Sequence, residues 1–412
     1  MLSGPVARNM LALLTMQGGT YVLPLILIPF LIRSLGIETF GDWVFASSFV
    51  AIFRTIVAYG FDMTATREVA ICRDDTEQLG RLYVAIVSAR FILLSLCIFA
   101  VVICWLFIVD ADQFFSMVIL YMLVIAGEAI FPVWLYQGME HMSMITRLRL
   151  GYKFLHVLAV VLLVRGPGDV MLIPLLDAIG SIAVGIMAMR YAYSLYGLRS
   201  YFPDRKLVIL QLREGWSVFL SNVAVHLYTT ANTILLGFLL GPIAVAKYAI
   251  AEKAYYAARG LLGTAVQALF PLLSRTFAIG LPEFRSMARR ATVAYFGGLV
   301  IAAGLLMLSA GLVVSLISGT HDREATLALQ ILSAALCLAM GGLFSSLLVI
   351  QRRGTSLVVV TSLTTALNII LAPATIWHFG VVGAAAVLLI TQLFHVGMQI
   401  VANWAVLFSP KA

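Results

Sequence analysis

Two arginines, Arg54 and Arg259, stand inside strongly apolar stretches of the chain. A guanidinium near mid-bilayer costs about 2.5–3.5 kcal/mol even on a lenient scale, so it faces a bundle interior, a wet cavity or a partner. Its planar fork holds phosphate or carboxylate oxygens in bidentate fashion. Two readings stand side by side. The arginines form a clamp for a bulky anion, or each pairs with an internal carboxylate and only holds helices together. Glu252, Tyr256 and Arg259 fall on one helical stripe, with Lys253 and Tyr255 beside it. That stripe is either the lining of a polar cavity or a local pairing of Glu252 with Lys253 or Arg259.

Other charges inside apolar runs pose the same question. Arg90 and Glu128 each lie about eight residues, or about 12 Å, from the same end of their runs, which predicts an Arg90–Glu128 ion pair. Asp177 is isolated in its run and is a candidate proton carrier or a hydrogen-bonded structural residue. Glu128, Asp177 and Glu252 are thus the candidate coupling or pairing carboxylates. Arg67 and Glu68, at the end of a run, suit a gate or an interfacial ion pair.

Catalytic signatures are missing from the sequence. It has no Gly-x-x-x-x-Gly-Lys phosphate loop, no Gly-x-Ser-x-Gly elbow, no zinc spacing and no Cys-x-x-Cys. His156, His226 and His395 share no ligand spacing and read as packed or water-facing. Asp74-Asp75 reads as a solvated face. No catalytic residue, metal or cofactor is expected, and transport is the default activity.

The elements that must position these residues follow from composition. Of 412 residues, 62% are hydrophobic and 11% charged, with mean hydropathy +1.02. Soluble domains run at about 45–50% apolar and about 25% charged, so this chain needs a lipid solvent. A soluble enzyme, a disordered protein and a nucleic-acid module are excluded. A spanning helix uses about 20 apolar residues. Runs of that kind fall at 10–32, 42–61, 82–109, 114–136, 150–164, 170–196, 216–240, 248–272, 291–318, 326–350, 356–377 and 381–408. The first is read as a span: it contains Pro24 and Pro29, is too long for a signal peptide and lacks a cleavage site. The short 150–164 run borrows Arg149 to Lys153 by snorkelling. The fold class is therefore all-α and polytopic, with about 12 spans.

Charge sets the orientation. With the N-terminus inside, cytoplasmic segments hold 19 of the 27 lysines and arginines, and opposite segments hold four. Both termini are expected in the cytoplasm. The net charge of +8 is explained by this asymmetry, and no nucleic-acid partner is expected. Cys72, Cys97, Cys104 and Cys337 imply no disulfide framework.

The connection at 201–215 divides the spans six and six, predicting an N-terminal lobe at 1–200 and a C-terminal lobe at 216–412 of parallel topology. A shift of 205 residues places Leu35-Gly36 on Leu240-Gly241, Ala46 on Ala251 and Arg54 on Arg259.

Three segments carry a family resemblance: Tyr21 to Gly36 followed by Phe40-Gly41, Tyr59 to Glu68, and Phe131 to Glu140. Gly215-Trp216 and the turn from Leu240-Gly241 to Tyr248 add to it. The chain resembles the polysaccharide (O-antigen, Wzx-type) flippases of the polysaccharide transporter family, within the multidrug/oligosaccharidyl-lipid/polysaccharide exporter superfamily. It departs from that pattern at Asp42-Trp43 and at the acidic Glu128. The resemblance implies two six-helix lobes around a central cavity. It also implies an undecaprenyl-diphosphate-linked glycan as substrate, moved from the cytoplasmic to the periplasmic leaflet of a bacterial inner membrane. Arg54 and Arg259 would hold the diphosphate, with Arg90, Lys253, Tyr255 and Tyr256 supporting. Expected partners are membrane lipids and, in the same pathway, a polymerase and a chain-length regulator; the chain is expected to be monomeric. The alternatives are a small-molecule or multidrug antiporter of the same superfamily and a membrane component of a glycan polymerase complex.

Overall fold

A computed structural model of the chain describes residues 25–108, 112–199, 201–351 and 353–404, the side chains of 227 and 228 excepted. Most of the expected first span at 10–32 therefore lies outside the described residues. Among the described residues every regular element is helical. The α-helices in chain order are α1 (Leu25–Leu35), α2 (Ile37–Ala58), α3 (Phe61–Ile71), α4 (Thr76–Phe107), α5 (Asp112–Ile130) and α6 (Val133–Gly138). They continue as α7 (Met142–Leu163), α8 (Leu172–Tyr196), α9 (Arg205–Leu240), α10 (Pro242–Ile279) and α11 (Leu281–Leu308). The last are α12 (Ala310–Ser318), α13 (Arg323–Leu336), α14 (Gly341–Ile350) and α15 (Gly354–Ala402), with a 3₁₀ turn at Cys337–Met340.

Eight stretches of the described residues are long and apolar enough to cross a bilayer, or nine with α9. The α15 stretch holds the last two expected spans, because Gly380 breaks it at φ 57 and ψ −131, a backbone that only glycine adopts without strain. Helix α7 covers the expected 150–164 run but starts at Met142 and carries Arg147, Arg149 and Lys153. Large apolar side chains such as Phe107, Leu308 and Ile370 are largely exposed, as a lipid solvent requires.

Contacts divide the described residues into two compact units, 34–230 and 231–404 with 25–33. The division falls within α9, and the expected inter-lobe connection at 201–215 becomes helical from Arg205. In the first unit α5 packs most extensively on α8. A Cβ at Gly127 would overlap the Ser181 backbone, and one at Gly185 would overlap the Gly127 carbonyl. Small residues thus let two helices touch backbone to backbone, and Ser181 Oγ donates to the Val124 carbonyl at 2.8 Å. Trp134 and Tyr136 are fully buried beside this crossing, and Tyr136 Oη donates to the Ala188 carbonyl at 2.6 Å.

Helix starts show local causes. Asp75 caps α4 by accepting from the Glu77 and Gln78 amides. Gly36 before α2 has φ 79 and ψ 163, and Gly241 before α10 has φ 79 and ψ −175. Both conformations are essentially restricted to glycine.

Candidate functional site

The close crossing of α5 and α8 sets the charges beside it. Glu128 follows Gly127, and Asp177 stands one turn before Ser181. Arg54 of α2 reaches this crossing, with its Nε 2.8 Å from Glu128 Oε2. Arg54 lies deep in the unit and also feels the charge of Asp177. Even so, the Arg54 and Glu128 side chains keep 46% and 41% of their surface accessible, so the pair borders open space. Asp177 is consequently not isolated. Lys153 of α7, read from sequence as a loop or snorkelling residue, belongs to the same cluster and interacts with Arg54 and Glu128. Trp43 Nε1 donates to Tyr121 Oη at 2.6 Å, a second tie between α2 and α5. Trp43 and Tyr121 were not singled out as site residues; the unusual Asp42-Trp43 was their only sequence signal.

The expected Arg90–Glu128 pair is not formed. Arg90 is 4% exposed, and its Nη2 donates to Asp62 Oδ1 at 2.8 Å, with the guanidinium 5.8 Å from the centre of the Phe61 ring. The cause is the turn before α3. Tyr59 and Gly60 both adopt positive φ, 51 and 91, and the helix restarts with Asp62 in its first turn. Arg90 is thus packed against α3, away from the open pair at Arg54.

Arg67 and Glu68 lie farther along α3 and meet α9. Arg67 Nη2 is 3.4 Å from Glu214 Oε2, and Gln211 Nε2 donates to Glu68 at 2.8 Å. The same two helices are joined where Tyr59 stacks on Phe219, ring centres 4.6 Å apart.

The second unit carries its own cluster. Arg259 of α10 donates to Tyr255 Oη at 3.3 Å, and its guanidinium lies 6.0 Å from that ring's centre. Tyr255 is fully buried, and the Tyr255 and Tyr256 rings are 5.1 Å apart. Tyr295 of α11 and His395 of α15 lie within the electrostatic reach of Arg259. Glu252 is 6% exposed and lies beside the Thr233 side chain. It therefore does not line an open cavity, and no ion pair joins it to Arg259 among the described residues. Lys253 is exposed. The stripe is split: Glu252 and Tyr255 are core, while Tyr256 and Arg259 are half-buried.

His395 is more than packed. Its Nδ1 is 3.0 Å from Thr364 Oγ1, its Nε2 is 3.0 Å from Gln399 Nε2, and Gln399 donates to Ser345 Oγ at 2.7 Å. The spacing Thr391, His395, Gln399, Asn403, every fourth residue of the last span, was the readable signal of a polar helix face. Among the described residues no group of three His, Cys, Asp or Glu side chains is placed to hold a metal ion.

Comparison with known proteins adds the family context. The profile of the family described as "Polysaccharide biosynthesis protein" matches residues 6–277. A protein of Escherichia coli (strain K12) assigned as an O-antigen transporter is 25% identical over 328 residues, 79% of each chain. A Shigella dysenteriae protein with the same assignment is 29% identical over 302 residues, 73% of this chain and 75% of that one. Among solved structures, the lipid II flippase MurJ in an inward closed conformation superposes with a TM-score of 0.73 at 11% identity, covering 96% of this chain and 87% of MurJ. An inward-facing MATE family multidrug resistance transporter of the MOP superfamily gives 0.70 at 15% identity, covering 97% and 98%. At these identities the two structures show the shared fold alone.

Proposed function

Because the chain belongs to the polysaccharide biosynthesis protein family, we propose that it is a flippase. In this reading it carries an undecaprenyl-diphosphate-linked oligosaccharide, an O-antigen or exopolysaccharide repeat unit, between the leaflets of a bacterial inner membrane. The chain is a multi-pass membrane protein of polysaccharide biosynthesis, and its relatives are transporters. The observation that carries the finer reading is the accessible Arg54–Glu128 pair inside the membrane-spanning helices.

In that pair a carboxylate already occupies the guanidinium. A diphosphate offers more oxygens and more charge, so it competes with Glu128 for Arg54 in bidentate geometry. Arg259, at the equivalent place in the repeat, supplies the second guanidinium, held by Tyr255. Tyr256 and Lys253 add donors and a cation on the same helix. The prenyl tail stays in lipid while the headgroup crosses, and rocking of two six-helix lobes alternates access. The Arg67–Glu214 and Glu68–Gln211 contacts between α3 and α9 act as a cytoplasmic gate. Both termini lie in the cytoplasm, the protein works as a monomer, and a polymerase and chain-length regulator act downstream.

One observation favours a second reading. Glu128 and Asp177 give the first cluster two carboxylates, which suits a cationic drug exchanged for ions, and the fold is shared with a multidrug transporter. Reconstitution into liposomes separates the two. Protein-dependent exposure of a fluorescent undecaprenyl-diphosphate glycan to an external quencher, abolished by Arg54→Ala, supports the flippase. Gradient-driven uptake of cationic dyes without glycan exposure supports the antiporter.

A further inference from the structure

Two ties of different chemistry join α3 to α9. At the start of α3 the tie is apolar and close. Tyr59 stacks on Phe219 with ring planes 13° apart, and a Cβ on Gly60 would overlap Val218. Eight residues further along the helix, about 12 Å, the tie is polar. Gln211 Nε2 donates to Glu68 Oε2 at 2.8 Å, and Arg67 Nη2 reaches Glu214 Oε2 at 3.4 Å. Glu68 follows Arg67, and Glu214 stands one turn after Gln211. The two contacts therefore interlock and leave Glu68 and Glu214 side by side.

Two carboxyls here face one guanidinium. Arg67 is 69% accessible, so water screens much of its charge. The surrounding elements do not make up the deficit among the described residues. At the end of α3, Cys72 carries no positive charge, and Arg73 lies 3.8 Å from Glu140. Asp75, at the start of α4, is a further acid spent on capping. Helix α6 meets α3 through the neutral Gln137, which accepts from Thr66. Arg213 of α9 is exposed to solvent.

Carboxyls that share a site cannot both ionise without cost. A carboxyl O–H donating to a carboxylate is one of the short, charge-assisted hydrogen bonds. Each partner has one oxygen engaged, Glu68 Oε2 by Gln211 and Glu214 Oε2 by Arg67, which leaves one oxygen on each for such a bond. Glu68 is half-buried and Glu214 exposed. Both lie outside the apolar runs at 42–61 and 216–240, so water can deliver and remove the proton.

We propose that Glu68 and Glu214 form a proton-binding site. The α3–α9 contact closes with one proton shared between the two carboxyls and parts when both are ionised. The stacked Tyr59–Phe219 end stays in place as the pivot. The site rests on this contact being the cytoplasmic gate proposed above, and the contact can be read directly, apart from transport.

The full chain, with its four cysteines replaced by Ser, takes spin labels at Ile71→Cys on α3 and Leu210→Cys on α9, both exposed positions. It is placed in phosphatidylcholine nanodiscs, and the label separation is followed by electron paramagnetic resonance between about pH 4 and about pH 9, a range that brackets carboxyl titration. A short separation should give way to a longer one as pH rises. The closed contact holds one more proton, so the closed-to-open ratio should fall by about tenfold per pH unit near the midpoint. Glu68→Gln brings its own N–H donor in place of the shared proton and should keep the short separation throughout. Glu214→Gln should flatten the pH dependence as well, which keeps the test informative if the first variant folds poorly. A parent separation that ignores pH overturns the proposal. So does a pH dependence that survives in both Gln variants, because the proton then sits on another group. If the separation titrates as expected while reversal of Arg67 or Glu214 leaves glycan exposure at the parent rate, the proton site stands and the gate falls.

Discussion

Glu128 holds Arg54 at 2.8 Å while both side chains stay more than two-fifths accessible. Both members reach open space, so altering one does not leave the other sealed in the core. Arg54→Ala should abolish glycan exposure in liposomes with normal membrane abundance, and Arg54→Lys should restore only part, because an ammonium cannot bind in bidentate fashion. Glu128→Gln removes the competitor. It should tighten binding of a diphosphate headgroup by about tenfold, the worth of one charge-assisted hydrogen bond, and slow turnover by retaining the product. If Glu128→Gln binds and turns over as the parent does, the exchange of carboxylate for phosphate is wrong.

Arg90 and Asp62 behave differently, because the arginine side chain is only 5% accessible. Asp62→Ala leaves a buried guanidinium without its partner, which should cost about 3 kcal/mol, at the low end for broken buried pairs since Asp62 itself is half exposed. Thermal unfolding in detergent measures it. The double variant Arg90→Met, Asp62→Leu should recover most of that stability and keep transport. Loss of transport in a stable double variant would return Arg90 to the substrate site.

The α5–α8 crossing gives a prediction about packing alone. Gly127→Val drives a side chain into the Ser181 backbone, and backbone cannot move aside as a flexible side chain can. Overpacking of this kind costs about 1–3 kcal/mol or more, so abundance in the membrane should fall sharply. Gly151, with nothing within 4 Å of its added Cβ, is the control: Gly151→Ala should be neutral. Gly127→Ala already carries the Cβ that overlaps the Ser181 backbone, so it should lower abundance too, and because Glu128 and Asp177 flank the crossing, transport per molecule should fall as well. A variant with full abundance and full transport would show that the crossing tolerates separation.

Gly36 and Gly241 carry the same φ of 79, each starting the helix that brings an arginine into the apolar interior. Periodicity within one helix was enough to place Glu252, Tyr256 and Arg259 on a stripe. It was not enough to say which half of the stripe is core, because that depends on how α10 is rotated against α11 and α13. The Arg90–Glu128 expectation failed for a similar reason. Depth along two helices does not say which carboxylate meets the guanidinium, and the left-handed Tyr59-Gly60 turn restarts α3 with Asp62 beside Arg90. Lys153 was misread because α7 extends back to Met142, past the end of its apolar run. The Trp43–Tyr121 bond was legible only as an oddity in the segment that follows Gly41.

The contact between α3 and α9 allows a test in which stability and transport separate. Arg67 is 69% accessible and Glu214 36%, so their ion pair is worth at most about 1 kcal/mol, and either single reversal should leave unfolding temperature nearly unchanged. Were the pair only ornamental, transport would be unchanged too. As part of a gate, it must form in one state and part in another, and Arg67→Glu or Glu214→Arg then biases the population between them by like-charge repulsion. Each single reversal should slow glycan exposure several-fold. The double reversal Arg67→Glu, Glu214→Arg restores attraction and should recover the rate, whereas damage to two independent surfaces would add. Glu68→Gln extends the same logic: it keeps a hydrogen-bond partner for Gln211 and removes a charge beside Glu214, so it should favour the closed contact and slow transport without any loss of protein. Rates that ignore all four variants would leave α3 and α9 as simple packing partners.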